Sequence, residues 1–331
     1  MSGRNAGLCT LVMKESPTAF YTHCCGHRIN LVVQSIGVHV TGYQNAHGCL
    51  QTVCNIITES NNRLEMFEKL QQQQIDACSD KPAWRVLRLQ RLSDTRWNCH
   101  IRAAAAVLNT FPCIISLLEH VGAPDQSTKP EKRCEATGAL RSIKCFDFIF
   151  WLHVIIQILT ETNELSESVQ QQQDSMWEAI KHVQSCLDQL KAWRSMIGFR
   201  SLWDKSVAFC SLHGITDVPS NHGWELQTNR ESRRTSRPPQ RLKDCFAHSN
   251  TGRITTKHQE STSVRTSHKT HLFEILDGMI GDITERFSER NCKIIQATKS
   301  LSSFDCFRSF QSSDLKCLFN VHKEDFNCHA W

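Results

Sequence analysis

Met176-Trp177-Glu178-Ala179-Ile180-Lys181-His182-Val183-Gln184-Ser185-Cys186-Leu187-Asp188-Gln189-Leu190 lies in the region of clearest periodicity in the chain. Met176, Ile180, Val183, Leu187 and Leu190 recur at alternating four- and three-residue steps, the period of a helix with one apolar face. The stripe is heptad-like but too short to establish a coiled coil, so it reads as one face of a helix in a bundle. Upstream, Leu50, Val53, Cys54 and Ile57 repeat the period, as do Leu64, Phe67 and Leu70. Downstream, Phe273, Leu276, Ile280 and Ile283 resume it within Leu272–Phe287, and a helix–loop–helix tail is expected to follow. Residues 102–118 read as a further helix interrupted by Pro112, and residues 123–132, with Pro124 and Pro130, as a loop. His27 to Val40 is apolar enough for one buried helix with Leu31, Val32, Ser35 and Ile36 on a face. The expectation is a mostly α protein.

The composition narrows what such a protein could be. With 331 residues and 40% hydrophobic content, the chain can hold two modest domains and a sizeable core. Residues 148–159 are its most apolar run, but the run is too short to span a bilayer and includes His153 and Gln157. A buried core helix is therefore expected there, and no membrane partner. Seventeen cysteines are scattered without a Cys-x-x-Cys pair, which argues against a zinc ribbon or a thioredoxin-like motif. They read as reduced thiols, many acting as small buried hydrophobes. No Gly-x-Gly-x-x-Gly, Walker-type or Gly-x-Ser-x-Gly motif occurs, so neither a nucleotide cofactor nor a small-molecule substrate is expected.

Charge is distributed unevenly. The net value is +5, yet residues 230–271 alone carry a local +7, leaving the rest near −2. Order signals fade from Pro219 to Thr270, where Ser, Thr, Arg and Pro dominate, as in Arg233-Arg234-Thr235-Ser236-Arg237-Pro238-Pro239. Two readings of this stretch stand side by side. Dispersed cations suit a phosphate backbone, with Arg233, Arg234, Arg237 and Arg241 as contacts. A solvated linker or nuclear import patch has the same composition.

Two short motifs carry the remaining information. His23-Cys24-Cys25-Gly26-His27-Arg28-Ile29-Asn30-Leu31 is followed some 65 residues later by Asp94-Thr95-Arg96-Trp97. In this order and spacing they resemble the hAT superfamily of DNA transposases, and among them the domesticated zinc finger MYM-type protein 1 group. Thr162-Asn163-Glu164-Leu165-Ser166, Glu285-Arg286-Phe287, Phe304-Asp305-Cys306-Phe307 and Asp325-Phe326 extend the likeness, which weakens between residues 201 and 265. The resemblance implies a helical insertion domain attached to the remnant of an RNase H-like α/β fold. On that basis residues 1–45 would be the fold remnant and 46–218 the insertion domain. Residues 219–271 would be a basic linker and 272–331 a returning helical segment.

The resemblance also assigns roles. Family members carry an Asp-Gly-Ala-x-Asn-Met-Ser-Gly run at their second catalytic aspartate, and this chain opens Met1-Ser2-Gly3. All three catalytic carboxylates are thus expected to lie outside it. Strand cleavage needs those carboxylates to hold two metal ions, so no enzyme activity and no catalytic residues are expected. In an intact transposase His27 and Arg28 would face the scissile phosphate, the guanidinium pairing with it by its planar fork. A purely structural role for the pair is equally open. The tryptophan of Thr-Arg-Trp is understood to stack on an extruded base, which would give Trp97 and Arg96 a nucleic-acid role. Packing of Trp97 inside the insertion domain is the other reading. His23, Cys24 and His27 have ligand-like spacing but provide no fourth ligand, so no metal site is expected.

The function expected from the sequence is non-catalytic, transposase-derived binding of nucleic acid, of protein, or of both, in the nucleus. DNA, chromatin-associated proteins or a second copy of the chain are the expected partners. One alternative is a fragment of an active hAT-type transposase, and another is a protein-interaction scaffold without DNA contact, for which a cytoplasmic location would serve.

Overall fold

The structure is a computed structural model. It describes residues 7–16, 31–33, 35–36, 39–77, 85–92, 97–124, 129–171, 176–219 and 263–287, with short pieces from 294 to 323. Among the described residues 83% are helical and none forms a strand. The helices are α1 (Leu8–Glu15), α2 (Thr41–Thr58), α3 (Asn61–Ala77), α4 (Trp97–Asn109), α5 (Phe111–Gly122) and α6 (Pro130–Ile143). They continue as α7 (Phe146–Gln171), α8 (Met176–Trp193), α9 (Met196–Leu212), α10 (Val264–Arg286) and, after a 3-10 turn at Thr298–Leu301, α11 (Ser312–Val321). The mostly α expectation is met. The described part of residues 1–45 consists of α1, helical residues at 31–33 and 35, and the start of α2.

The long helix α7 is the axle of the bundle, packing against α2, α4, α6, α8 and α9. Its first half is apolar all round, and Phe146, Ile149, Phe150, Leu152, Val154 and Ile155 are almost fully buried. A helix apolar on every side belongs inside a protein or inside a membrane. Here neighbouring helices cover it, and no single helix among the described residues is long and apolar enough to cross a membrane. Gly42 at the start of α2 lets the Trp151 indole lie directly against the backbone, where a Cβ would collide with the ring.

The predicted stripes occupy the predicted faces. Leu50, Val53, Cys54 and Ile57 of α2 are buried, as are Phe67 of α3 and Val183, Leu187 and Leu190 of α8. The α8 stripe packs against α7, α9 and α10, so it is a bundle face. Two proline readings are corrected. The break in 102–118 falls at Thr110, where the chain bends by 85°. Pro112 sits in the first turn of α5, where a missing N–H costs nothing. Pro130 likewise begins α6, so the loop expected over 123–132 is shorter than its prolines suggest.

A third difference concerns the basic segment. Helix α10 starts at Val264 behind Ser263, whose hydroxyl accepts a hydrogen bond from the Thr266 N–H at 3.2 Å. Residues 264–271 are therefore helix. They escape an aliphatic periodicity search because their buried contacts are not aliphatic. His268 enters a cage of rings, with centroids 4.8 Å from Phe150, 5.6 Å from Trp203 and 5.9 Å from Phe146 and Trp151. The Arg265 guanidinium lies 5.4 Å from the Trp203 ring. His268 Nδ1–H donates to the Val264 carbonyl at 2.8 Å. Its Nε2 lies 2.9 Å from the Asp147 carboxylate. His268 holds that carboxyl below the usual carboxylate range. Further along, Arg194 clamps Asp277 through two N–H groups and covers the Phe273 ring at 4.9 Å.

Cys54, Cys99, Cys113, Cys186 and Cys210 are buried thiols outside any disulfide. Burial pushes the Cys54, Cys186 and Cys210 thiols up to about 12, so they act as small apolar groups and not as nucleophiles.

One buried polar contact makes stability depend on pH. His153 of α7 lies 3.1 Å from the Ser206 hydroxyl of α9, which donates to the Leu202 carbonyl at 2.9 Å. With its only proton committed, Ser206 must accept from His153 Nδ1–H. Burial, with Lys205 adding to it, pushes the His153 pKa down to about 4. The unfolded imidazole titrates near 6.5, so the unfolded chain binds the extra proton first. This stability is complete above about pH 6.5 and lost as pH falls towards 4, by up to about 3 kcal/mol. His153→Phe should flatten the change in urea midpoint between pH 7 and 4.5. An unchanged pH dependence in that variant would move its origin elsewhere.

Candidate nucleic-acid interface

Of the residues expected to touch nucleic acid, His27, Arg28, Arg96, Arg233, Arg234, Arg237 and Arg241 lie outside the described residues. So do His23 and Cys24 of the ligand-like cluster. Trp97 is the first residue of α4, and its side chain is not among those described. What the structure adds is the setting of the Asp94–Trp97 motif.

The N-terminal turn of α4 is fixed from behind. His100, three positions after Trp97, is buried and faces His47 of α2, with Nε2 of His47 3.0 Å from Nδ1 of His100. The two rings are stacked at 5.0 Å with 18° between their planes. One nitrogen donates and the other accepts, so the pair fastens α4 to α2 with neither atom orphaned. Ala103, Ala104 and Val107 then carry α4 into the core. The first turn of α4 is thus fastened to α2.

The segment leading into the motif is a non-helical strap, Arg85-Val86-Leu87-Arg88-Leu89-Gln90-Arg91-Leu92. Leu89 is buried, and Leu87 and Leu92 are partly buried against the core. Arg85, Arg88 and Arg91 are exposed at a uniform three-residue spacing. Gln71 of α3 holds the strap as a neighbouring strand would. Its Oε1 accepts from the Leu87 N–H at 2.8 Å, and its Nε2 donates to the Leu87 carbonyl at 3.0 Å. Gln71 is itself buried, so this amide satisfies both main-chain groups where water reaches poorly. Gln71→Leu should lower stability by about 2 kcal/mol, because it strands a donor and an acceptor without changing volume much. A urea midpoint equal to wild type would show that water replaces the amide.

Beside the strap lies a cleft of about 310 Å³, lined by Gln71, Gln74, Ile75, Arg85, Leu87, Asn109 and Thr110. A second, of about 370 Å³, opens between Ser35, Ile36, His39 and Val40 on one side and α10 on the other, with Glu274 and Asp282 on its wall. No group of three His, Cys, Asp or Glu side chains that could hold a metal ion occurs among the described residues.

Sequence reasoning passed over the strap and the His47–His100 pair. The strap did leave a signal, since arginine recurs at 85, 88 and 91 between leucines, but that pattern matches neither a helical nor a strand period. The histidine pair leaves none, because its members are 53 positions apart. No protein-family model matches this chain, and no solved structure matches it.

Proposed function

We propose that this chain is a non-catalytic, transposase-derived nucleic-acid-binding protein of the nucleus. On this reading residues 46–218 are a hAT-type helical insertion domain, and residues 1–45 are the remnant of an RNase H-like fold. The observation that carries the reading is the segregation of charge. Outside the helical body, residues 230–262 carry eight Lys and Arg against three Asp and Glu, a local +5, and the rest of the chain sums to zero, the footprint of a phosphate-binding segment on a neutral scaffold. The order of the His23–Leu31 and Asp94–Trp97 motifs supports it, as does the seating of Trp97 at a fixed helix N-terminus. Chromatin-associated proteins and a second copy of the chain are further partners in this proposal.

The test is binding of the whole chain to a fluorescent random-sequence duplex between 50 and 200 mM salt. Measurable affinity that falls steeply with salt is the expected result. No binding at 50 mM would sink the reading in favour of a protein-interaction scaffold. Metal-dependent nicking of the duplex would favour a piece of an active transposase.

A further inference from the structure

We propose that the strap at residues 85–92 is a second, pre-formed phosphate-binding ladder, with Arg85, Arg88 and Arg91 as its rungs. The proposal rests on the nucleic-acid reading above but places part of the contact on the folded body, apart from residues 230–262.

Three observations carry it. The strap has no lysine and no carboxylate, and its three cations are guanidiniums, whose planar forks match phosphate oxygens two at a time. All three are exposed, while the leucines between and after them point into the core. The segment is already held in place by the Gln71 clamp, so binding would not have to order it.

The one ion pair the strap makes among the described residues is Arg88 with Glu68 at 3.1 Å, at the surface. An exposed pair of this kind is worth about 0–1 kcal/mol and yields readily to a phosphate. Arg91 also feels Glu59, but that carboxylate is engaged by Lys132 at 2.6 Å. From Arg85 to Arg91 the backbone spans at most about 20 Å, roughly six base-pair steps at ~3.4 Å each. The strap runs directly into Asp94-Thr95-Arg96-Trp97. This continuity favours a nucleic acid over an acidic protein as the occupant.

The experiment compares wild type with R85Q/R88Q/R91Q and R85K/R88K/R91K, each as the full chain. Circular dichroism and urea midpoints serve as fold controls. Affinity is read by anisotropy on a 20-base-pair random duplex and a 20-nucleotide single strand from 50 to 200 mM salt, with polyglutamate as competitor. The glutamine variant should lose at least about tenfold in affinity at low salt, and its log–log salt slope should flatten by about 2–3 on duplex. Single strand should show about 2, from the smaller increment per phosphate. The lysine variant should keep most of the slope, since it keeps the charge.

If wild type binds DNA and the glutamine variant keeps both affinity and slope, the strap is not a ladder, while the wider reading stands. If wild type binds neither probe at 50 mM salt, the wider reading fails and the ladder with it. If polyglutamate displaces the wild-type chain as well as duplex does at equal charge, the surface serves an acidic protein and the proposal is overturned.

Discussion

Replacing Trp203 by alanine should cost about 4 kcal/mol, the largest stability loss expected from any single substitution in this chain. Trp203 is 1% exposed and stands where three helices meet. Its ring centroid lies 4.6 Å from Phe146 and 5.8 Å from Phe150 of α7, and 5.6 Å from Phe199 on its own helix. From α10 it receives His268 and the Arg265 guanidinium. The indole Nε1 makes no hydrogen bond, so the loss comes from apolar contact and from the cavity left behind. Each aromatic pair adds about 0.5–1.5 kcal/mol beyond the area it buries. Against a total of about 5–15 kcal/mol for a folded domain, such a loss is a large share.

The loss should also be local in one respect. With Trp203 gone, His268 and Arg265 lose the ring they share, so hydrogen exchange in residues 264–287 should accelerate before the rest of the bundle opens. Urea unfolding followed by circular dichroism and by exchange would show both effects. Trp203→Phe should cost well under half as much. A drop in stability below about 1 kcal/mol for the alanine variant would show that the cage is slack and that α10 is held mainly by Arg194, Leu272, Leu276 and Met279.

Helices that bury aliphatic stripes were legible in the sequence, and those held by other chemistry were not. The stripes of α2, α8 and the second half of α10 sit at helical period, and burial of one face is what that period reports. The first two turns of α10 contain Arg265, His268 and Lys269, which compositional reasoning assigns to a basic linker. They are helical because Ser263 caps them and because an aromatic cage accepts a histidine and an arginine as it would accept hydrocarbon. Proline misled in a similar way. Pro112 and Pro130 interrupt a pattern in the sequence, yet each lies in a first turn, where its fixed φ favours a helix. The strap was missed for a third reason. Its position depends on one glutamine side chain 16 residues away, and no periodicity encodes such a clamp.

The placement of α10 also dictates how the basic segment should be tested. Deleting residues 230–271 would remove Ser263, Arg265 and His268 and unseat the helix, so lost DNA binding could be mistaken for a lost contact. Replacing only the eight Lys and Arg between 230 and 257 by glutamine leaves the cap and the cage intact. If half of those eight contact phosphate, the log–log salt slope should fall by about 3.6, or about 0.9 per contact. Over the fourfold span from 50 to 200 mM salt that is a difference of roughly 150-fold in how affinity changes.

Trp97→Ala should behave otherwise. Duplex affinity should hold, while binding to a hairpin with an extruded base should weaken by about 1–3 kcal/mol, since stacking requires a base already out of its helix. An unchanged slope in the glutamine variant would make residues 230–257 a solvated linker and leave the strap to account for any binding that remains. Unfolding of Trp97→Ala would instead place that ring in the core, and the stacking role the resemblance gives it would have to be dropped.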